Sequence, residues 1–291
     1  MSGGMKLDTR KITNEQIRSY YTHTSGDYWA AWLDDQNLSM HFGYQETSTT
    51  SHSVSLTKAI EVLAGIAEIA PGDRVLDAGS GIGGSSLWLA TKKKADVVGI
   101  ALGLDQVRTA RGEARRRASS ENAQFLVADF TALPFDAGRF DVVWAQESLC
   151  HAYDKSAFFK EAARVLAPGG RIVVSDFMLR RSSVSKEDRA LLQEWFDGWA
   201  LPDLWTAAQH ANAARAAGLH DVCIRDVTQC TLPSHRRLYE RARWALPIAT
   251  LLRLAGLRSA VQDANVVASV RQYQTLRRDC WFYAIMSARK P

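Results

Sequence analysis

The chain has 291 residues, 46% hydrophobic and 23% charged, a balance that suits a folded globular protein and excludes a disordered one. No apolar run reaches the ~18 residues of a membrane span, and Met1-Ser2-Gly3-Gly4 does not open a secretory leader. The formal charge is +5, and the four cysteines lack any C-x-x-C pair, which argues against a disulfide framework or zinc site and suits a reducing cytoplasm.

In chain order, residues 1–10 are expected to be disordered, and residues 1–70 to form a helical cap segment. Residues 12–44 carry Tyr20, Tyr21, Tyr28, Trp29, Trp32, Phe42 and Tyr44. An α/β core is expected over residues 71–231. Its first strand, Val75–Ala78, runs into a glycine-rich turn, and a helix follows through Ser85–Lys92. Asp96–Ile100 reads as a second strand, with a helix from Asp105 to about Ala118. Gln124–Ala128 is the third strand and Phe140–Ala145 the fourth. Lys155–Leu166 places Phe158, Phe159, Ala162 and Val165 on one helical face. Pro168-Gly169-Gly170 then hands over to a fifth strand, Arg171–Phe177. After a helical insertion at about 180–203, a helix near Trp205–Ala217 leads to a strand at Val222–Thr228. An Arg-rich helical insertion is expected over 232–279, and a last strand, Trp281–Ser287, within 280–291. Strands alternating with helices at this pitch predict a doubly wound, mostly parallel sheet with ligands at the carboxyl ends of its strands.

The turn reads Asp77-Ala-Gly79-Ser80-Gly81-Ile-Gly-Gly84. Its spacing, D-x-G-x-G-x-G-G, differs from the G-x-G-x-x-G of dinucleotide binders and argues against NAD(P). It resembles motif I of class I S-adenosylmethionine (SAM) methyltransferases, closely over about residues 74–178 and loosely beyond. The resemblance implies their Rossmann-like sheet with helical cap insertions, and SAM as cofactor with S-adenosylhomocysteine as product. It implies cofactor contacts from Tyr20, Asp77, Gly79, Ser80, Gly81, Ala101, Leu102, Gln106, Asp129, Phe130 and Ala145. Asp129 would accept from the adenine amino group, with Phe130 packing the ring. Many relatives end the second strand in an acid that holds the ribose hydroxyls, whereas Gly99-Ile100-Ala101-Leu102-Gly103 has none. One branch carries G-I-T-L-S followed by a glutamine here, and Gln106 falls at that position. Asp105, one residue away, competes for the role.

That branch includes sterol and tocopherol C-methyltransferases and cyclopropane fatty acid synthases. Residues 145–154, Ala-Gln-Glu147-Ser-Leu-Cys-His151-Ala-Tyr-Asp, resemble its sterol-type segment after the fourth strand. Glu147 and His151 are therefore the catalytic candidates, since methylating an alkene leaves a cation that a carboxylate can stabilise and deprotonate. An alternative structural role is to tie the loop to the N-terminal segment. Trp29, Tyr44 and Trp199 are candidates for an aromatic acceptor wall. Between Leu232 and Asp279 nine arginines face three acids, a balance of +6, so the remainder is close to neutral. Arg236 and Arg237 are the candidates there for holding a diphosphate. The best reading is C-methylation of an isoprenoid alkene such as a prenyl diphosphate. Mg2+ is called for only by a diphosphate acceptor, and no protein motif forms a metal site. O- or N-methylation of a specialised metabolite is the alternative, and a non-catalytic nucleotide-binding protein a third. The pI is about 9.1, but the basic residues form no RNA-binding motif, so no nucleic acid partner is expected. An oligomer is left open.

Overall fold

The near-continuous apolar strands read from the sequence assemble into a single seven-stranded sheet in the computed structural model, which describes residues 12–32, 37–46, 51–117 and 121–291. Residues 1–10, expected to be disordered, lie outside these. The strands are β1 Arg74–Ala78, β2 Asp96–Ala101, β3 Ala123–Val127, β4 Phe140–Gln146, β5 Leu166–Leu179, β6 His220–Asp226 and β7 Trp281–Arg289. Their order is β3-β2-β1-β4-β5-β7-β6. The first five pair in parallel, and β7 inserts antiparallel between β5 and β6.

A parallel sheet must be covered on both faces. The helices are α1 Asn14–Ala31, α2 His52–Ile66, α3 Gly84–Trp88, α4 Leu104–Arg116, α5 Lys155–Val165, α6 Lys186–Gly198, α7 Ala207–Ala216, α8 Thr228–Leu254 and α9 Ala260–Arg277. On one face α5 (Phe158, Phe159, Ala162) and α7 (Ala214) pack against Leu76, Val143 and Val174. On the other, α2 (Ile60, Leu63, Ala64), α3 (Leu87) and α4 (Val107, Ala110) cover Val75, Trp144 and Val173. So α2, expected in the cap, is a layer of the core. Its buried positions 56, 59, 60, 63 and 64 form one helical stripe, which only the sheet can bury.

Beyond the strand ends, α1, α6, α8 and α9 form the cap. Arg258, in the turn before α9, grips Asp27 of α1 with two hydrogen bonds of 2.8 Å, and Tyr20 donates to Asn265 at 2.9 Å. Cap and sheet meet at a third cluster of Trp32, Phe42, Phe177, Trp195, Trp281 and Tyr283.

Several boundaries depart from expectation. The helix after β1 is α-helical only to Trp88 and continues to Lys93 as a π-turn. β5 begins at Leu166, because Phe140 pairs with it across an irregularity before Arg171. β6 stops at Asp226, whose carboxylate accepts from the backbone and hydroxyl of Thr228, the first residue of α8. Among the described residues no helix is long and apolar enough to cross a membrane.

Burial holds His41 and His210 down to about pKa 4 and His235 to about 3, because the core excludes the imidazolium. An unfolded chain protonates the same side chains near pH 6.5. Their contribution to stability is therefore present above pH 6.5 and lost as pH falls through 4. Thermal unfolding scanned from pH 7 to 4.5 is expected to show a progressively falling Tm.

Candidate active site

The parallel strands end together, and the loops leaving them line a cavity of about 390 Å³ roofed by the cap. β1 delivers the glycine turn, where the backbone N–H groups of Gly79 and Ser80 both donate to the Ile100 carbonyl. Gly79 has φ +105°, and a Cβ there would lie 2.2 Å from Ser148 Cβ, so only glycine fits. Asp77 beneath the turn is 2% exposed and accepts from Ser86 Oγ at 2.6 Å, while burial raises its pKa to about 6. After β2, the Gln106 side chain folds back over Gly103. A Cβ would sit 2.7 Å from Gln106 Oε1. Asp105 points outward to Arg108 and leaves the cavity to Gln106.

Asp77, Gly79, Ser80, Gly81, Ala101, Leu102, Gln106 and Phe130 thus share one wall. Three other cofactor candidates lie off it. Ala145 is fully buried inside the sheet, and Gln146, one residue on, lines the cavity instead. Tyr20 faces α9, bonded to Tyr28 and Asn265, and the helical phase presents Ile17 and Tyr21 to the cavity. Asp129 sits at the rim between the lining residues Ala128 and Phe130. Its carboxylate accepts from Asn14 Nδ2 at 2.6 Å and from Thr131.

The wall fits SAM. Ser80 Oγ and Gln146 Nε2 are buried without a hydrogen-bond partner among the described residues, an arrangement that calls for a polar ligand. Among these residues no group of three His, Cys, Asp or Glu is placed to hold a metal.

β4 ends at Gln146, and Glu147 follows in the left-handed region, φ +51°, lining the cavity. Such a backbone is costly for a non-glycine residue and is held by the 2.8 Å bond from its N–H to the Ser175 carbonyl. Glu147 Oε1 accepts from the Phe42 backbone at 2.7 Å and from Tyr283 Oη at 2.6 Å. Both bonds fall on one oxygen. Burial outweighs them and lifts the carboxyl pKa to about 8.

His151 closes the short turn after β4. Its Nδ1 lies 3.3 Å from the Ala200 carbonyl, which can only accept. Nδ1 therefore carries the proton, and Nε2 accepts from Tyr21 Oη at 2.9 Å. Burial lowers the His151 pKa to about 4, so the ring is neutral at pH 7.

The aromatic part of the cavity is made by Tyr21, Tyr28, Phe42, Phe177 and Trp199. Trp29 is 45% exposed on the far side of α1 and does not contribute. Tyr44 packs on the core cluster and pairs with Cys230, which leaves Met40, His41 and Phe42 of its segment in the cavity. Arg236 is tied to Glu240 on the outer surface, and Arg237 does not reach the cavity. The arginines that line it are Arg18, Arg241 and Arg258. Charge density marked this segment, but which arginines face inward depends on the phase of α8 and on Asp27 across the cap. Tyr283 was missed altogether, since a tyrosine in an alternating strand reads as packing.

The methyltransferase domain family matches residues 76–174. Over 237 residues the chain is 34% identical to 27-O-demethylrifamycin SV methyltransferase of Amycolatopsis mediterranei (strain S699), covering 80% of this chain and 84% of the relative. The solved structure of the [4+2]-cyclase SpnF shares the fold with TM-score 0.80 and 25% identity, over 100% of this chain and 99% of the other. Geranyl diphosphate C-methyltransferase from Streptomyces coelicolor A3(2) does so with TM-score 0.71 and 21% identity, over 96% and 97%. A cyclase and a methyltransferase on one fold show that the chemistry must be read from the site.

Proposed function

The chain belongs to the class I SAM-dependent methyltransferases, and from that premise we propose that it methylates an alkene carbon of an isoprenoid acceptor, best a prenyl diphosphate. The observation that carries the reading is Glu147, a carboxylate fixed at one oxygen in a cleft walled by Tyr21, Tyr28, Phe177 and Trp199. SAM supplies the methyl group and the positive charge. The aromatic faces receive the cation left on the acceptor, and Glu147 stabilises it and takes its proton. Arg18 and Arg241 line the cleft on the side of an anionic head, Arg258 being already neutralised by Asp27, and Mg2+ would come with a diphosphate.

A second reading is favoured by the neutral Nε2 of His151 and by the likeness to 27-O-demethylrifamycin SV methyltransferase. Here His151 accepts a hydroxyl proton and the product is an ether. Incubation with methyl-labelled SAM, prenyl diphosphates and hydroxylated polyketides, with NMR of the product, separates the two. A new carbon–methyl bond supports the first reading, and methyl transfer to oxygen alone overturns it.

Within the same proposal, Asp129 takes the adenine amino group in addition to the bonds that hold it, from Asn14 on Oδ2 and from Thr131 on Oδ1. Calorimetry of Asp129→Ala is then expected to show SAM binding weaker by about 1–3 kcal/mol.

A further inference from the structure

The far half of α8 and the turn after it leave a broad apolar surface uncovered. Trp244, Ile248, Leu251, Leu254 and Leu257 are each between 62% and 81% exposed. Trp244, Ile248 and Leu251 fall on one helical face, and Leu257 continues the surface beyond the helix end. Single exposed leucines are ordinary, but a contiguous cluster of this size marks an interaction surface.

Its electrostatic setting narrows the partner. Of the six arginines in residues 236–258, Arg236, Arg253 and Arg258 are paired with Glu240, Asp263 and Asp27, while Arg243 is exposed beside the patch and Glu240 is the one acid in that stretch. The Arg243 guanidinium lies 5.1 Å from the Trp244 ring, so an aromatic and a cation are presented side by side. A second copy joined through this patch by a two-fold axis would bring like charge against like charge. An anionic lipid surface is complementary to both features, taking the apolar side chains into the acyl boundary and the arginines at the phosphates.

The patch is also continuous with the cavity, since Ile248 and Leu252 line it from the inside. We propose that α8 docks this protein peripherally on an anionic membrane, with the cavity mouth at the bilayer surface. An apolar acceptor then passes from the lipid into the cavity without crossing bulk water. The docking does not depend on which acceptor is methylated.

Co-sedimentation with vesicles of phosphatidylcholine containing phosphatidylglycerol tests this. The protein is expected to bind these more tightly than pure phosphatidylcholine vesicles and to be released by added salt. Trp244→Ser/Leu251→Ser/Leu257→Ser is expected to weaken binding by about tenfold or more. Arg243→Glu, which leaves the apolar surface intact, is expected to weaken it by about fivefold. It decides the matter if the triple variant does not fold. No binding by the native protein, equal binding to pure phosphatidylcholine, or undiminished binding by the folded variants would overturn the proposal. So would light scattering that shows a dimer dispersed by the same substitutions while vesicles are ignored.

Discussion

Glu147→Gln and Glu147→Ala are expected to keep SAM affinity and lose turnover by about two orders of magnitude or more, as for removal of a general base or charge stabiliser. Both hydrogen bonds to the Glu147 carboxyl come from Phe42 and Tyr283 rather than from the glycine turn, so its substitution leaves that turn's own contacts in place. Calorimetry with SAM and single-turnover rates on the true acceptor separate binding from chemistry. With a carboxyl pKa near 8 in the free protein, kcat/KM is expected to rise with pH up to about that value. The limb should lie lower in kcat, where the sulfonium favours the carboxylate, and should vanish in Glu147→Gln. Near-native turnover by Glu147→Ala would transfer the base role to His151.

The second large effect is on stability. Lys155, at the start of α5, is 1% exposed, and its Nζ donates at 2.6 Å to Asp203 Oδ1 and also to the carbonyls of Ala152 and Asp203. Losing one member of a buried pair strands the other, so Lys155→Ala is expected to cost about 3–5 kcal/mol. At roughly 2–4 °C per kcal/mol for a chain of this order, differential scanning calorimetry would read this as a large fall in Tm. Lys155→Met keeps the apolar stem and is expected to lose less. Because the loop that Lys155 holds also contains Ala200, the partner of His151, turnover should fall with stability.

The parallel half of the sheet was legible because each strand is an apolar run ended by a turn residue, and the glycine spacing marked where the cofactor wall would form. What escaped the sequence depends on partners distant along the chain. Val75 and Trp144 read as strand residues without help, yet the burial of α2 against them could not be foreseen from residues 52–66 alone. Tyr20 and Tyr21 look alike on paper, and the docking of α1 on Asn265 turns one into the contact with α9 and the other to His151. Arg236 and Arg258 differ in the same way, one finding Glu240 a turn away and the other Asp27 from 231 positions earlier in the chain. The π-turn after Trp88 carries no residue signature, since it is an adjustment of the ladder rather than of the side chains.

The place of β7 in the sheet has a consequence for biosynthesis. β6 has no sheet partner other than β7, and Tyr283 of β7 reaches back 136 positions to hold Glu147. A nascent chain on the ribosome can form β1 to β5 as it emerges, but neither the partner of β6 nor the second of the two hydrogen bonds on the Glu147 carboxyl exists until β7 has been made. A chain stopped before residue 281 would therefore lack both the partner strand of β6 and the Tyr283 hydrogen bond to Glu147, and on the role proposed for Glu147 it is expected to lose turnover.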